Sequence, residues 1–270
     1  MDYVIAIPTY GRSNKIAEDT LAVLRRYGIP NGKIHLFVDN QKEFDDYTAN
    51  VPRDLYGKIV ITYKKGSISV IRNFIVDYFE ENQKIISMDD DVKAFQTLDK
   101  KNNLVDLASL TALIEKGFAL CAEHKCSLWG VYPVANGYYM KSNKEYSTDL
   151  KFIVGSFMAF TNRKIKCRMN FKEDYELSIE NFLRDHKVVR FNRVCIKFKM
   201  YSKNGGIGKS QEERLQDNIR AAKWLLQKYP KWVKLNARRE GEVLLNKRDM
   251  TQQLNKKNIK TRSNKDLILN

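Results

Sequence analysis

Three carboxylates in a row, Asp89-Asp90-Asp91, follow the apolar run Lys84–Met88. Neighbouring carboxylates repel one another unless a cation or solvent intervenes. A divalent metal bridging a diphosphate uses such hard oxygens, with one or two carboxylates, phosphate and water filling its shell. Asp89 and Asp91 are the candidate ligands for Mn or Mg, and Asp89 and Asp90 the candidate contacts to a phosphorylated donor. A solvated acidic turn is the alternative. Two other strand ends carry usable groups: Pro8-Thr9-Tyr10-Gly11-Arg12 offers a hydroxyl and a cation, and Phe37-Val38-Asp39 a carboxylate able to hold a base or ribose. Singly these are ordinary turn and cap residues; together at adjacent strand ends they outline a nucleotide pocket. Downstream, Glu173-Asp174-Tyr175-Glu176 opens a helical run. Acids at a helix start are favoured by its dipole.

The elements that must position these groups alternate. Strand-like runs are expected at 3–7, 34–38, 58–63 and 84–88, with helices near 14–27, 41–50 and 67–81 between them. Ile68, Ile71, Ile75 and Phe79 recur at helical spacing, and Gly66-Ser67 supplies an entry. Near-continuous apolar strands separated by helices imply an α/β domain with a mostly parallel central sheet flanked by helices. In such sheets ligands bind beyond the carboxyl ends of the strands, where the acids above are placed. Further on, helices are expected at 107–124, 174–185 and 211–229, and strands at 128–134, 152–161 and 188–201. We expect one domain over 1–246, comprising a donor- and metal-binding part (1–183) and a basic acceptor-side part (184–246), then a basic, mobile tail over 247–270.

Among 270 residues, 43% are apolar and 30% charged, which suits a folded chain. Four scattered cysteines give no disulfide scaffold, and Cys121, His124 and Cys126 lack the fourth ligand of a zinc site. With no export signal or membrane span in the sequence, a cytoplasmic location is expected. Charge is segregated: residues 184–270 hold 23 Lys/Arg against 8 Asp/Glu, whereas residues 1–183 hold 25 against 24. A basic half joined to a neutral one points to a polyanionic partner, nucleic acid or an anionic membrane.

In order and spacing these motifs resemble GT-A glycosyltransferases: Pro8-Thr9-Tyr10 is similar to their opening motif, Asp89-Asp90-Asp91 to their DxD metal motif, and Glu173-Asp174 to the pair that supplies the base in inverting members. Ser67–Asn73 resembles the helix whose Arg-Asn pair, here Arg72-Asn73, lies by the nucleotide and diphosphate. The bacterial Gln-x-x-Arg-Trp motif survives at best as Arg220–Trp224. The resemblance implies a UDP-sugar donor, a divalent metal, Arg12 and Arg72 as phosphate-neutralising cations, and Asp174, with Glu173 or Glu176 in reserve, as the general base that takes the acceptor proton. Lys203–Ser210 imitates a P-loop, but a Walker loop needs glycine where Lys203 stands, which excludes an NTPase. Gly205 and Gly206 instead suit an amide-rich loop over the donor, or a plain turn.

The basic half narrows the resemblance to the DNA-base glycosyltransferases of bacteriophages, related to those encoded beside thymine or methylcytosine dioxygenases. These imply transfer of glucose or arabinose to 5-hydroxymethylcytosine or hydroxymethyluracil in double-stranded DNA, with the base turned out of the stack. The Tyr138-Tyr139 loop is then a candidate wall for that base. Lys203, Lys209, Lys223, Lys231, Lys234, Arg238 and Arg239 are the candidate nucleic-acid contacts, interleaved with Trp224 and Trp232. The alternatives are a transferase of surface polysaccharide or lipid-linked glycan, and a non-catalytic nucleic-acid binder on a decayed transferase fold.

Overall fold

The structure is a computed structural model that describes residues 1–64, 66–141, 144–198 and 210–246. The chain divides into two compact units, 1–208 and 209–270. The expected loop residues Lys203, Gly205, Gly206 and Lys209, and the tail over 247–270, lie outside the described residues.

The first unit is a three-layer α/β domain. Strands β1 (Val4–Pro8), β2 (Ile34–Val38), β3 (Lys58–Ile61) and β4 (Lys84–Met88) alternate with helices α1 (Thr20–Arg26), α2 (Gln41–Asn50) and α3 (Ile68–Tyr78). They lie in the order β3-β2-β1-β4, all parallel, with Ile5 opposite Ile34 and Ile86. The next elements are β5 (Val92–Leu98), β6 (Leu104–Asp106), α4 (Leu110–His124), β7 (Leu128–Tyr132), the short α5 (Gly137–Met140), β8 (Tyr146–Ser147), β9 (Phe157–Thr161), α6 (Glu173–Asp185) and β10 (Val189–Phe198). The sheet continues as β4-β9-β7-β10-β5-β6, with β8 on β10. β9 is antiparallel to both β4 and β7, so β7 and its parallel neighbour β10 run in the same direction as β1 to β4. The central sheet is therefore wholly parallel on one side and mixed on the other. The carboxyl ends of β1, β2, β4 and β7 share one edge.

Two faces of apolar side chains hold this sheet. Ile5, Ile7, Leu36, Val38 and Ile86 pack with α1, α2 and α4 residues such as Leu24, Tyr47 and Phe118, while Ala6, Phe37 and Ile85 meet Ile75 of α3 and Phe79 just beyond its end. Their alternation along each strand is the period-two signature of a sheet covered on both faces. The helical spacing foresaw α3, but its buried face runs through Ser69, Arg72, Ile75 and Val76, one step round from Ile68 and Ile71. An arginine therefore sits on a helix face otherwise given to the core.

Several expected boundaries moved. Helix α1 starts at Thr20 rather than near 14, because residues 12–19 form turns closed on the Arg12 and Lys15 carbonyls. The 152–161 strand begins only at Phe157, since Gly155 and Ser156 are committed to other contacts. Strands β5 and β6 had not been expected, nor had a hairpin of β11 (Val233–Leu235) and β12 (Val243–Leu245) in the second unit. There, α7 (Gln211–Lys228) opens with a reciprocal cap between Ser210 and Glu213.

Candidate active site

The strand ends expected to carry chemistry converge. Pro8 closes β1 and Thr9 follows it, buried; its Oγ1 lies 2.5 Å from the Tyr47 hydroxyl and donates to Asp90 Oδ2 at 2.6 Å. The Tyr47 hydroxyl also accepts the Arg12 amide at 3.1 Å. Gly11 turns the chain with φ +64, a value that favours glycine, and its amide donates to Glu43 Oε2 at 2.7 Å. Arg12 then reaches back, with Nε 3.4 Å from Asp90 and Nη2 3.7 Å from Asp91. Burial pushes the Asp90 carboxyl up to about 7, against the pull of the Thr9 hydroxyl and Arg12, and also raises Asp91. At the β2 end, Asp39 is half-buried and takes the Asn40 amide, while Asn40 caps α2 through the Glu43 amide. Tyr10 stands exposed at the rim.

The backbone of the triplet is pinned. Asp89 donates its amide to the Ser156 carbonyl at 3.2 Å, and its carbonyl accepts the buried Thr20 hydroxyl at 2.8 Å. The middle carboxylate is taken by Thr9 and Arg12, leaving Asp89 and Asp91 as the remaining acids. Among the described residues no three His, Cys, Asp or Glu side chains form a cage for an ion. Two hard carboxylates at a strand end fit an ion that draws its other ligands from a diphosphate and water, as Mg or Mn does in phosphate sites.

Arg72 ties the triplet to the start of α6. Its Nη1 donates to Glu173 Oε1 at 2.5 Å; its Nη2 donates to Asp89 Oδ1 at 3.2 Å and to the Gly155 carbonyl at 2.9 Å. The guanidinium is buried, which works against its charge, yet Glu173 and Asp89 outweigh that penalty and keep it charged. A side chain at Gly155 would place its Cβ 2.4 Å from Arg72 Nη1, so only glycine leaves room. Both terminal nitrogens of Arg72 are thus committed to protein acceptors, while its buried Nε has none among the described residues, and Arg12 is the cation left nearer the surface.

The three acids of α6 have three fates. Glu173 is buried on Arg72, and burial pushes its carboxyl up to about 7. Asp174 is half-buried and accepts the Gly155 amide at 3.2 Å and the Tyr175 amide at 2.9 Å; burial raises it too. Glu176 is fully buried and accepts the Arg168 and Met169 amides at 2.8 and 3.2 Å, so it anchors the 168–169 loop and does not face the site. Asn73 likewise exchanges two hydrogen bonds with the Cys167 backbone, at 2.7 and 3.0 Å. The sequence motifs missed Thr20, Glu43, Tyr47 and Gly155. Tyr47 left one trace, as an aromatic residue in a polar helix.

These residues lie within the span of a known family. The model of the TET-Associated Glycosyltransferase family matches residues 3–206. The chain belongs to this family. Its TET-Associated Glycosyltransferase span holds every strand-end group above and the Glu173-Asp174 pair, and it stops short of the basic second unit. Among solved structures, a mannosyltransferase from Pyrobaculum calidifontis, PcManGT, in complex with GDP-Man and Mn2+, has the same GT-A fold. It aligns with a TM-score of 0.50 at 12% identity, over 85% of this chain and 63% of its own. The chain thus spans less than two thirds of that enzyme's length. A UDP-glucose pyrophosphorylase from Acinetobacter baumanii is more distant, with a TM-score of 0.40 at 10% identity, over 71% of this chain and 86% of its own. No curated protein matches.

In the second unit, Lys223, Lys231, Lys234, Arg238 and Arg239 are all exposed. Trp224 and Trp232 are half-buried, Trp224 lying edge-on to Tyr229 with ring centroids 6.0 Å apart. No helix among the described residues is long and apolar enough to cross a membrane.

Proposed function

We propose that this glycosyltransferase moves a sugar, glucose or arabinose, from a UDP-sugar to the hydroxymethyl group of 5-hydroxymethylcytosine or hydroxymethyluracil in double-stranded DNA. The observation that carries the reading is Arg72. One guanidinium holds both Asp89 of the strand-end triplet and Glu173 of the α6 pair, the latter 101 residues from Arg72 in sequence. That one side chain joins the two acid clusters supports the reading, because group transfer needs donor-binding and acceptor-binding groups held close together.

Asp89 and Asp91 would hold a divalent ion, Mn or Mg; such an ion supplies counter-charge for a departing nucleoside diphosphate. Thr9, Tyr10, Asp39 and Asp90 would line the nucleotide, with Arg12 nearest its phosphates. The acceptor oxygen forms a bond to the anomeric carbon while the bond from that carbon to the diphosphate oxygen breaks. The electron pair leaves with the diphosphate, and the hydroxyl proton passes to Asp174. Burial suits Asp174 to this role, because a raised carboxyl is the stronger proton acceptor. Residues 1–183 would provide this chemistry, and the exposed cations within 184–246 would hold the DNA backbone. A phage-encoded enzyme of this kind works in the cytoplasm of the infected bacterium.

Incubation with UDP-sugar, Mn or Mg, and duplex DNA containing either cytosine or hydroxymethylcytosine tests the proposal. Incorporation of sugar only into the hydroxymethylated duplex is expected. Transfer to a saccharide or polyprenyl carrier instead, with DNA ignored, would overturn it.

A further inference from the structure

Residues 1–183 are almost neutral in sum, but their charge is not evenly spread. Where β7 leaves the ligand edge of the sheet, the chain makes the single turn of α5, which exposes Tyr138 (70%) and Tyr139 (58%) side by side, their rings edge-to-face at 5.3 Å. Lys141 Nζ stands 4.7 Å from the Tyr138 ring centroid. The β5–β6 turn packs against this element: a side chain at Gly137 would meet the Asn102 carbonyl at 3.2 Å and Leu98 at 3.3 Å. Arg193 of β10 fastens the two together, donating to the Lys141 carbonyl at 3.5 Å, the Asp99 carbonyl at 3.4 Å and Asn102 Oδ1 at 3.1 Å. Lys100 and Lys101 on that turn are exposed.

The surface is therefore built, with its parts fixed to one another. Asp99, the acid in the turn, has its carboxylate committed to the Lys101 and Asn103 amides at 2.8 Å each. Nearby Asp106 faces Arg26 at 3.6 Å, and Glu145 is paired with Lys116. The lysines of the turn keep their charge for a partner.

We propose that the surface formed by α5 and the β5–β6 turn, with Tyr138, Tyr139, Lys100, Lys101 and Lys141, grips the DNA flanking the acceptor base. It rests on the reading that DNA is the acceptor and adds a second contact region, outside the basic second unit. Cations beside exposed aromatic rings suit a nucleic acid, whose phosphates meet the first and whose bases or sugars meet the second. A lipid surface fits less well. The rings are tyrosines rather than phenylalanine or leucine, and a four-residue helix offers no apolar face to lie in a bilayer. Within the surface, α5 follows the carboxyl end of β7, the sheet edge at which β4 delivers Asp89, while the β5–β6 turn stands at the far end of the strand that runs on from Asp91.

The double variant Lys100→Glu/Lys101→Glu, on exposed turn positions, keeps the fold and reverses the charge. Its affinity for a fluorescein-labelled hydroxymethylated duplex is read by anisotropy at two salt concentrations, together with KM for that duplex and hydrolysis of UDP-sugar without DNA. The expected result is Kd and KM raised by about tenfold or more, a salt slope lower by about two, and unchanged hydrolysis. Tyr138→Ala should weaken binding by a further severalfold without changing the slope. If the wild type binds and glycosylates the duplex and the double variant equals it, this surface falls while the DNA acceptor stands. If the wild type neither binds nor modifies DNA, both fall. Loss of binding to phosphatidylserine vesicles but not to DNA in the double variant would also overturn the proposal, in favour of a membrane contact.

Discussion

Asp89, Asp90 and Asp91 end a strand of the parallel side of the sheet, and each meets different neighbours: Arg72 for the first, Thr9 and Arg12 for the second, Arg12 at longer range for the third. Glu173, Asp174 and Glu176 instead open a helix over the mixed side, where backbone amides and the same Arg72 answer them. Strand-end acids stay partly open toward the ligand edge because the next element turns away. Helix-start acids are divided by the helical period. Of the three, one meets the buried guanidinium, one stays half-buried by the site, and one is driven into the core. Acids of similar spacing in sequence thus do different work according to the element that carries them.

Substitution should separate the two clusters most strongly in catalysis. Asp91→Ala is expected to lower both sugar transfer and acceptor-free donor hydrolysis by about 10³-fold, since it removes stabilisation of the departing diphosphate. Asp174→Asn should lower transfer by about 10²–10⁴-fold but spare donor hydrolysis, because it removes only the proton acceptor. Paired assays of transfer and hydrolysis on both variants check this, and equal loss of hydrolysis in both would erase the distinction between the clusters.

The next effect is on stability. Arg72→Met leaves Glu173 and Asp89 without their shared cation and should cost about 3–5 kcal/mol in urea unfolding. Gly155→Ala forces the guanidinium aside and should cost about 1–3 kcal/mol. Glu176→Ala strands the Arg168 and Met169 amides, again at about 1–3 kcal/mol, with kcat per folded molecule unchanged. A fall in kcat for Glu176→Ala would return that residue to the catalytic cluster.

The parallel side was legible because its strands are short apolar runs whose ends carry Pro, Gly and Asp. Such punctuation marks where a strand stops, and the ligand edge follows from it. The antiparallel strands left weaker marks. β5 carries Lys93 and Gln96 among its apolar residues, and Gly155-Ser156 broke what read as one continuous strand. Arg72 was marked by its family motif as a phosphate ligand, yet its burial depends on Glu173 and Gly155. Those partners are distant in sequence, and no local pattern announces them. The roles of Tyr47 and Thr20 were unreadable for the same reason: each acts through hydrogen bonds to residues distant in sequence.

The smallest effect probes the parallel side alone. His35 of β2 is half-buried with its ring 5.5 Å from that of Phe79, and its Nδ1 has no partner among the described residues. Burial lowers its pKa, and the nearby Lys58 lowers it further. The folded state thus disfavours the proton that the unfolded chain accepts near pH 6.5. Stability from this contact is fully present above that pH and declines as pH falls toward the lower folded value. His35→Phe removes the titrating group from an aromatic cluster that can accept a ring. Urea midpoints measured from pH 7.5 to 5 should therefore fall more steeply for the wild type than for this variant. Parallel lines would mean that His35 is as readily protonated folded as unfolded, and that the acid response belongs to the carboxylates of the site.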